Sequence, residues 1–407
     1  MAVIAGPRRL FPTVSKPYPI LALVASAHGV THMYAALLPL IYPLIIIQFG
    51  ISYGELGLLV GVSSALGGIL QMAFGIAGRY VPHKLLIGLG NIGCGLTMAL
   101  LGGAATFWQF GLVRGLQAVA QAPQHPIGNS MITKRFGERK RGSAMAIHTA
   151  GGNLGTLLVP LVGTFLIAQL GWRATLVIFS IPGLLIGSAI VAMVMEAREQ
   201  PPAVHQRSSV GGDLRGLFTD RTITLITLSS VVAAGGRGLG VILTYVPLYL
   251  KNGLGLSSTI VGALFTVLLI GSIIGPILGG RVSDMLGRKR AMLLILIGSF
   301  VCTVLLVASG STVAAVAGSL LLMGLFVYAQ GPVMQTYLAD VCRPESRDAI
   351  FGAYFAITFG AGAVYAAGLG ILIDHFGFAA AFITMAVSYV ATFLVLLPAR
   401  EHRLTPA

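Results

Sequence analysis

Two histidines and two arginines lie inside long apolar segments of the chain, where charged groups are rare. His28 and His32 stand four residues apart in "SAHGVTHMY" (26–34), a spacing that places both imidazoles on one face of a helix. Arg114 and Arg237 lie in comparably apolar surroundings. An imidazole exchanges a proton near neutral pH, and a planar guanidinium donates to phosphate, phosphonate or carboxylate. The four residues therefore indicate an anion-binding site with a group that is able to carry a proton.

The segments that carry these residues are long enough to cross a bilayer. The 407 residues are 56% hydrophobic and only 9% charged, which is typical of an integral membrane protein. Because backbone groups in lipid must bond within their own segment, such spans are helices. The sequence predicts an all-α protein of twelve transmembrane helices, near residues 18–47, 52–76, 84–104, 106–132, 142–169, 174–196, 221–250, 257–280, 290–309, 311–339, 348–373 and 377–399.

The basic residues alternate between the predicted loops. Of the 26 lysines and arginines, 22 lie at the two termini or in the even-numbered loops, and only Arg173 and Lys251 lie in odd-numbered loops. This distribution follows the positive-inside rule, and it predicts that both termini and the central loop are cytoplasmic. It also accounts for the net charge of +14 without any binding of nucleic acid.

One polar segment divides the chain into two similar parts. Residues 197–220 are rich in Pro, Gly and Ser, and they predict a cytoplasmic linker. Segments 49–57 and 254–262 match at an offset of 205, and 141–146 matches 347–352 at 206. Such a register over six spans is typical of a duplicated transporter. The predicted units are a cytoplasmic N-terminus (1–17), two pseudo-symmetric six-helix bundles (18–196 and 221–399) and a cytoplasmic tail (400–407).

The repeat pairs two of the four opening residues. At the offset of 205, His32 on the first span corresponds to Arg237 on the seventh. No acidic residue lies in the middle of a predicted span, so neither Arg114 nor Arg237 has a carboxylate at its depth. A charged group at that depth is costly and usually marks a solute pathway. We therefore expect a water-filled cavity that prefers an anion.

Several motifs resemble those of the major facilitator superfamily. "GGRVSDMLGRKRA" (279–291) is similar to that family's loop signature, whereas the first copy has Arg79 and Pro82 in place of Asp284 and Gly287. "AHGVTHMYAALLPLIYPLI", "QHPIGNS" and "IHTAGGNLG" resemble the fosmidomycin-resistance efflux branch. Members of that branch tend to carry acidic residues where this chain has His32 and Ile127.

The resemblance implies which residues face the substrate, since helices 1, 4, 7 and 10 line the central cavity of that superfamily. We expect the substrate to be bound by Arg114, Arg237, His32, Gln330, Tyr34, Tyr245, Tyr328, Gln124 and His148. We expect His32 and His28 to couple protons. The resemblance also implies a cytoplasmic gate formed by Asp284, Gly287, Arg288 and Lys289.

The implied function is secondary transport by alternating access. The resemblance favours a proton antiporter that exports a drug or an organic anion across a bacterial inner membrane. An importer or facilitator of a metabolite anion is the alternative, and a non-transporting membrane sensor is a further one. HExxH and GxxxxGK[ST] motifs are absent and the three cysteines lack metal-ligand spacing, so we expect no enzyme, metal or cofactor. We expect a monomer whose partners are a small anion, protons and the bilayer, and not nucleic acid.

Overall fold

The computed structural model describes residues 13–78, 80–136, 138–196, 219–237, 239–342 and 347–400. Its α-helices are α1 (Pro17–Phe49), α2 (Tyr53–Ala77), α3 (His83–Gly103), α4 (Phe107–Gln121), α5 (Gln124–Thr133), α6 (Glu138–Met193), α7 (Arg221–Ala233), α8 (Leu239–Leu248), α9 (Ser258–Leu286), α10 (Arg288–Ala308), α11 (Val313–Val341) and α12 (Arg347–Leu396). A π-helical turn, Tyr249–Gly253, continues α8.

These helices form twelve membrane spans, although helices and spans do not correspond one to one. Eight of the described helices are long and apolar enough to cross a bilayer. Two of these, Ile147–Met193 in α6 and Ala353–Leu396 in α12, have 47 and 44 residues and are therefore long enough to cross it twice. The fourth span is α4 followed by α5, and the seventh is α7 followed by α8. The predicted fold class is confirmed, with six spans in a first half (13–196) and six in a second half (219–400).

A single glycine separates the two spans inside each double-length helix. Gly171 has φ 77° and ψ 164°, and Gly377 has φ 77° and ψ 176°. This backbone conformation is open to glycine but strained for residues with a Cβ atom. The two positions are 206 residues apart, which is the offset of the sequence repeat. The loops predicted at these two places are thus reduced to one turning residue in each copy.

Glycines allow helices to approach closely within a half and between the halves. In the first half, a Cβ atom on Gly155 of α6 would overlap with the carbonyl oxygen of Gly29 in α1. Between the halves, a Cβ atom on Gly57 of α2 would overlap with the carbonyl oxygen of Ala366 in α12. Small residues at such seams are a common means of helix association in lipid, where van der Waals packing takes over from the hydrophobic effect.

The two halves are also joined by polar contacts at the end of the bundle opposite the basic loops. The Asp374 carboxylate accepts hydrogen bonds from the backbone N–H groups of Tyr53 (2.8 Å) and Gly54 (2.7 Å), the first residues of α2. Asn252 donates to the Tyr53 hydroxyl at 3.0 Å, and the Phe378 ring lies edge-on to the Tyr53 ring. A carboxylate at a helix N-terminus satisfies donors that have no partner inside the helix. This group, the Asp374 latch (Asp374, Tyr53 and Gly54), therefore holds that end closed.

Most residues of the predicted linker and tails fall outside the described part of the chain. Of the predicted linker 197–220, only Thr219 and Asp220 are described. Asp220 begins the second half by accepting a hydrogen bond from the backbone N–H of Thr222 at 2.8 Å, which caps α7. Residues 1–12 and 401–407 of the predicted tails are likewise outside. The exact division into bundles, linker and tails stays a prediction.

Candidate functional site

A cavity of about 740 Å³, including space that is open to solvent, lies between the two halves. The predicted spans 1, 4, 7 and 10 all contribute to its wall, and spans 5 and 8 contribute in addition. The lining residues are Thr31, His32, Ala35, Ala36, Gln121, His125, Asn153, Thr156, Leu243, Leu269, Ser272, Ile273 and Tyr328. Among the described residues, this wall contains no aspartate, glutamate, lysine or arginine.

Four histidines lie together at the first-half wall of the cavity. His32 and His125 line the cavity, and His28 lies beside them with only 5% of its surface exposed. The His28 ring centroid is 4.5 Å from that of His32, 5.1 Å from that of His125 and 4.2 Å from that of His148, on which it stacks. His28 and His32 share one helix face, as their spacing predicted. The structure places the predicted His148 and the unpredicted His125 beside them, and the four form a histidine cluster (His28, His32, His125 and His148).

Close packing of α1 against α6 sets the orientation of two of these rings. The Nδ1 atom of His28 lies 2.9 Å from the carbonyl oxygen of His148, which can only accept. Gly152 makes room for this ring, because a Cβ atom there would stand 2.9 Å from the His28 Cε1 atom. One turn further along α6, the Thr156 hydroxyl oxygen lies 3.2 Å from the Nδ1 atom of His32.

A break in the fourth span brings His125 to the same place. Helix α4 ends at Gln121 and α5 begins at Gln124, with Pro123 between them. A proline has no N–H group for the helical ladder, so the span breaks there. The Gln121 side chain donates to the carbonyl oxygen of Thr31 at 3.1 Å, which ties the end of α4 to α1 next to His32.

Neither of the two predicted arginines lines the cavity in this structure. Arg114 of α4 lies near Tyr42 and Cys94. Its Nε and Nη1 atoms are buried without a hydrogen-bond partner among the described residues, and so is the Nη1 atom of Arg237. Arg237 occupies the break between α7 and α8. The expectation that both side chains face the cavity is therefore corrected, although their donors are still available to a ligand.

The surroundings of Arg237 extend to the cavity through two tyrosines. Tyr328 of α11 lines the cavity, and its buried hydroxyl has no partner among the described residues. Tyr389 of α12 lies near both Arg237 and Tyr328, and its hydroxyl donates to the carbonyl oxygen of Gly236 at the helix break. Tyr328 is thus the second-half residue of the predicted site that the structure places on the wall.

Two other predicted tyrosines face neighbouring helices instead of the cavity. The Tyr34 hydroxyl accepts a hydrogen bond from the backbone N–H of Gly183 at 3.0 Å, between the first and sixth spans. The Tyr245 hydroxyl donates to the carbonyl oxygen of Ala366 in the eleventh span. Both side chains are at most 1% exposed. The prediction that they contact substrate is not supported by this placement, because each hydroxyl is used in helix packing.

Three further predicted ligands are buried behind the wall. Gln124 accepts a hydrogen bond from the Asn91 side chain at 3.1 Å, so it faces the third span. Gln330 donates to the Ser299 hydroxyl at 2.7 Å, so it faces the ninth span. His148 is 1% exposed and stacks on the histidine in front of it. These placements correct the expectation that the three side chains face the cavity.

Several polar lining residues were missing from the sequence prediction. Asn153 and Thr156 of α6 and Ser272 of α9 belong to the fifth and eighth spans, which the prediction did not include in the cavity wall. Asn153 and Thr156 stand three residues apart in an apolar span, so they share a helix face with each other. Two polar residues on one face of an apolar span were the sequence signal that the fifth span lines the cavity.

The predicted gate residues form a polar cluster at the basic end of the second half. Arg288, the first residue of α10, donates to Asp340 at 2.7 Å, to Ser283 at 2.9 Å and to Asp284. Gly287, with φ 91°, makes the turn between α9 and α10. These contacts join three helices of one half, and the partly exposed Lys289 follows them. The role of the cluster as a gate between the halves stays a prediction.

Comparison with known proteins agrees with this architecture. The family model for the Major Facilitator Superfamily matches residues 24–257 and, a second time, residues 226–406. The chain belongs to the major facilitator superfamily. It is accordingly a multi-pass membrane transporter of a family whose members are not enzymes, as the sequence resemblance implied.

The names of similar proteins mention different compounds. This chain is 25% identical over 370 residues to a probable 4-methylmuconolactone transporter of Cupriavidus pinatubonensis, and the match covers 88% of this chain and 84% of the relative. It is 23% identical to the fosmidomycin resistance protein of Escherichia coli (88% and 86% covered) and to a hexuronate transporter of Bacillus subtilis (90% and 90%).

A solved structure shows the same fold. A bacterial homologue of the human lysosomal transporter Spinster, in an inward-facing and unoccupied conformation, superposes with a TM-score of 0.76 at 18% identity. The match covers 95% of this chain and 96% of the other. At that identity, the likeness supports the twelve-helix architecture alone.

Proposed function

We propose that this transporter moves a small organic anion, such as a carboxylate or phosphonate, across the membrane by alternating access. The observation that carries the proposal is the pair of buried guanidinium groups, Arg114 and Arg237, with unpartnered donors. Neither group forms an ion pair with a described residue. One lies in each half of the chain, so a solute between them would be held by both rocking bodies.

Energetics favour a ligand for these donors. A buried donor that lacks a partner costs about 1–3 kcal/mol, and more when the group is charged. Such a cost persists in a native structure when the group serves a function. The planar fork of a guanidinium matches the oxygen pair of a carboxylate or phosphonate. Since neither arginine lines the cavity in this structure, the proposal requires the rocking of the halves to bring their donors to the cavity surface.

The cavity and the relatives support the same solute class. The cavity lies between the two halves, which is where transporters of this architecture bind their solutes. Hexuronate is a carboxylate and fosmidomycin is a phosphonate, and both occur in the names of relatives. The name of the fosmidomycin-resistance relative favours export across a bacterial inner membrane as the direction. The distribution of basic residues favours cytoplasmic termini, which would put the Asp374 latch on the outer side.

Proton coupling through His32 and His28 stays a prediction. Both side chains lie in the histidine cluster, where neutral imidazole nitrogens are also able to bind a metal ion. The anion proposal does not depend on either outcome, because its donors are the two arginines.

Anion binding is tested by the thermal stability of the purified protein in metal-free buffer. The panel contains small carboxylates, phosphonates and phosphates, and size-matched cations and neutral sugars. A ligand at 100 times its Kd stabilises the folded state by roughly 2.7 kcal/mol, which gives a measurable rise in melting temperature. We expect a rise with one or more of the anions and none with the cations or sugars.

Variants assign the effect to the arginines. Arg237→Ala and Arg114→Ala should each abolish the anion-dependent rise and the uptake of that anion into proteoliposomes. Arg290→Ala is the matched control, because it removes an exposed arginine at the basic end and should change neither. Anion stabilisation that survives both arginine variants would contradict the proposal.

A further inference from the structure

We propose that His28, His32 and His125 form a binding site for a divalent transition-metal ion, with zinc as the reference ion. A ring nitrogen from each of the three lies within 4.8 Å of one from each of the others. Neutral imidazole nitrogens are the ligands that zinc, nickel, cobalt and copper ions prefer among nitrogen donors of proteins. The three residues come from two spans, α1 and α5, which other contacts already hold together.

The hydrogen bonds of two rings leave one nitrogen of each ring without a hydrogen. Because the carbonyl oxygen of His148 only accepts, the Nδ1 atom of His28 carries the hydrogen, and its Nε2 atom is left with a lone pair. That Nε2 atom is buried and has no hydrogen-bond partner among the described residues. A buried acceptor without a partner lowers the stability of the folded state unless a ligand binds to it.

His32 has the same arrangement. The Thr156 hydroxyl donates to the carbonyl oxygen of Gly152 at 3.1 Å, so its oxygen accepts from the Nδ1 atom of His32, 3.2 Å away. The hydrogen of His32 is therefore on Nδ1, and the Nε2 atom carries the lone pair. Histidines that bind metals usually donate their other ring N–H group to a carbonyl or hydroxyl in this manner, because that bond fixes the tautomer and the ring orientation.

The distances require only a small closure. Zinc binds histidine nitrogens at about 2.0–2.1 Å, so tetrahedral ligands stand about 3.4 Å apart. From a separation of at most 4.8 Å, the nitrogen atoms must approach one another by at most about 1.4 Å. His28 is held by its burial and its stack on His148, whereas the His125 side chain is exposed towards the cavity. The proposal therefore assigns the closing movement to His125.

Three protein ligands leave one coordination position open. His32 and His125 line the cavity and His28 lies behind them, so the open position faces the cavity. The sequence did not reveal this site because His125 is 93 positions from His32, beyond any local ligand spacing. It is formed only by the break in the fourth span at Pro123.

Direct binding of the metal ion tests the site. The full-length protein, purified with a tag that contains no histidine, is titrated with Zn²⁺ by calorimetry and with Co²⁺ by visible absorption. Both titrations use metal-free buffer without any organic anion. We expect one ion per chain, the absorption bands of a four-coordinate cobalt ion, and a rise in melting temperature on addition of zinc.

Three variants assign the ion to the cluster. His125→Gln removes a ligand whose side chain is exposed to the cavity, so the fold is kept while the affinity should fall at least tenfold. Thr156→Val removes only the acceptor of His32 and should weaken binding by about 10- to 100-fold. His375→Gln removes an exposed histidine near the Asp374 latch and should leave the affinity unchanged.

Two results would overturn the metal site. One is an absence of stoichiometric binding of either ion, and the other is binding to His125→Gln with the affinity of the unchanged protein. A normal anion-dependent rise in melting temperature, together with either of these results, would leave the proposed anion function standing while refuting the metal site.

Discussion

Removal of the Asp374 carboxylate should release the closed end of the bundle. Asp374→Ala deletes the acceptor of two hydrogen bonds, from the backbone N–H groups of Tyr53 and Gly54. A bond to a charged group contributes about 1.5–3 kcal/mol, and the exposure of Asp374 lowers this to about 1 kcal/mol for each bond. A loss of about 2 kcal/mol shifts the equilibrium between closed and open forms of this end by roughly 30-fold.

The shift is measured as a distance between the two halves. Spin labels are attached at Ala105→Cys and Ser311→Cys, which are exposed residues in loops at this end of the first and second half. The native Cys94, Cys302 and Cys342 are buried and should not react in the folded protein. Pulsed dipolar spectroscopy should show a short-distance population in the parent protein and a larger long-distance population after Asp374→Ala.

Glu55→Ala is the matched control for the Asp374 latch. The Glu55 carboxylate accepts from the backbone N–H of Ser52 at 2.8 Å, at the start of the same helix but within one half. Its loss weakens the helix cap without removing a contact between the halves. The reasoning is refuted if Asp374→Ala leaves the distance distribution unchanged, or if Glu55→Ala shifts it to the same extent.

Two further substitutions test the packing and the basic end. Gly155→Ala adds a Cβ atom that overlaps with the backbone of Gly29, so the melting temperature should fall by several degrees. Gly115→Ala is the control, because its Cβ atom meets nothing within 4 Å and the melting temperature should stay equal or rise. A stable Gly155→Ala protein would mean that this seam has room to separate. Asp340→Asn weakens the charge-assisted bond from Arg288 and should cost about 1–2 kcal/mol of stability without altering anion affinity; a changed anion affinity with unchanged stability would contradict a purely structural contact.

The periodic features of the chain could be predicted from its sequence. The number of spans follows from hydropathy and from the alternation of basic loops, and both signals depend on composition over about 20 residues. The repeat offset appears in sequence and returns in the backbone at Gly171 and Gly377. The pairing of His28 and His32 was predicted because residues four positions apart lie on the same face of a helix.

The orientation of individual side chains could not be predicted in the same way. In a soluble protein, polarity marks which helix face meets water, but a membrane span is apolar on most sides. Tyr34 and Gln330 lie on cavity-lining spans, yet their polar groups bond to neighbouring helices and not to solvent. Pro123 marks the break of the fourth span in the sequence, but the direction in which α5 continues depends on its packing against neighbouring helices, so His125 was not assigned to the site.

The break in the seventh span affects how a tilt of one end of this span is transmitted to its other end. Its repeat partner α1 is a continuous rod of 33 residues, so a tilt applied at one end reaches the other end. The seventh span has a joint at Gly235 and Gly236, against which the rings of Tyr365 and Tyr389 pack directly. A joint absorbs part of an applied tilt, so α8 is able to pivot while α7 stays in place. The first span therefore tilts as one continuous helix, whereas the seventh span is able to bend next to Arg237.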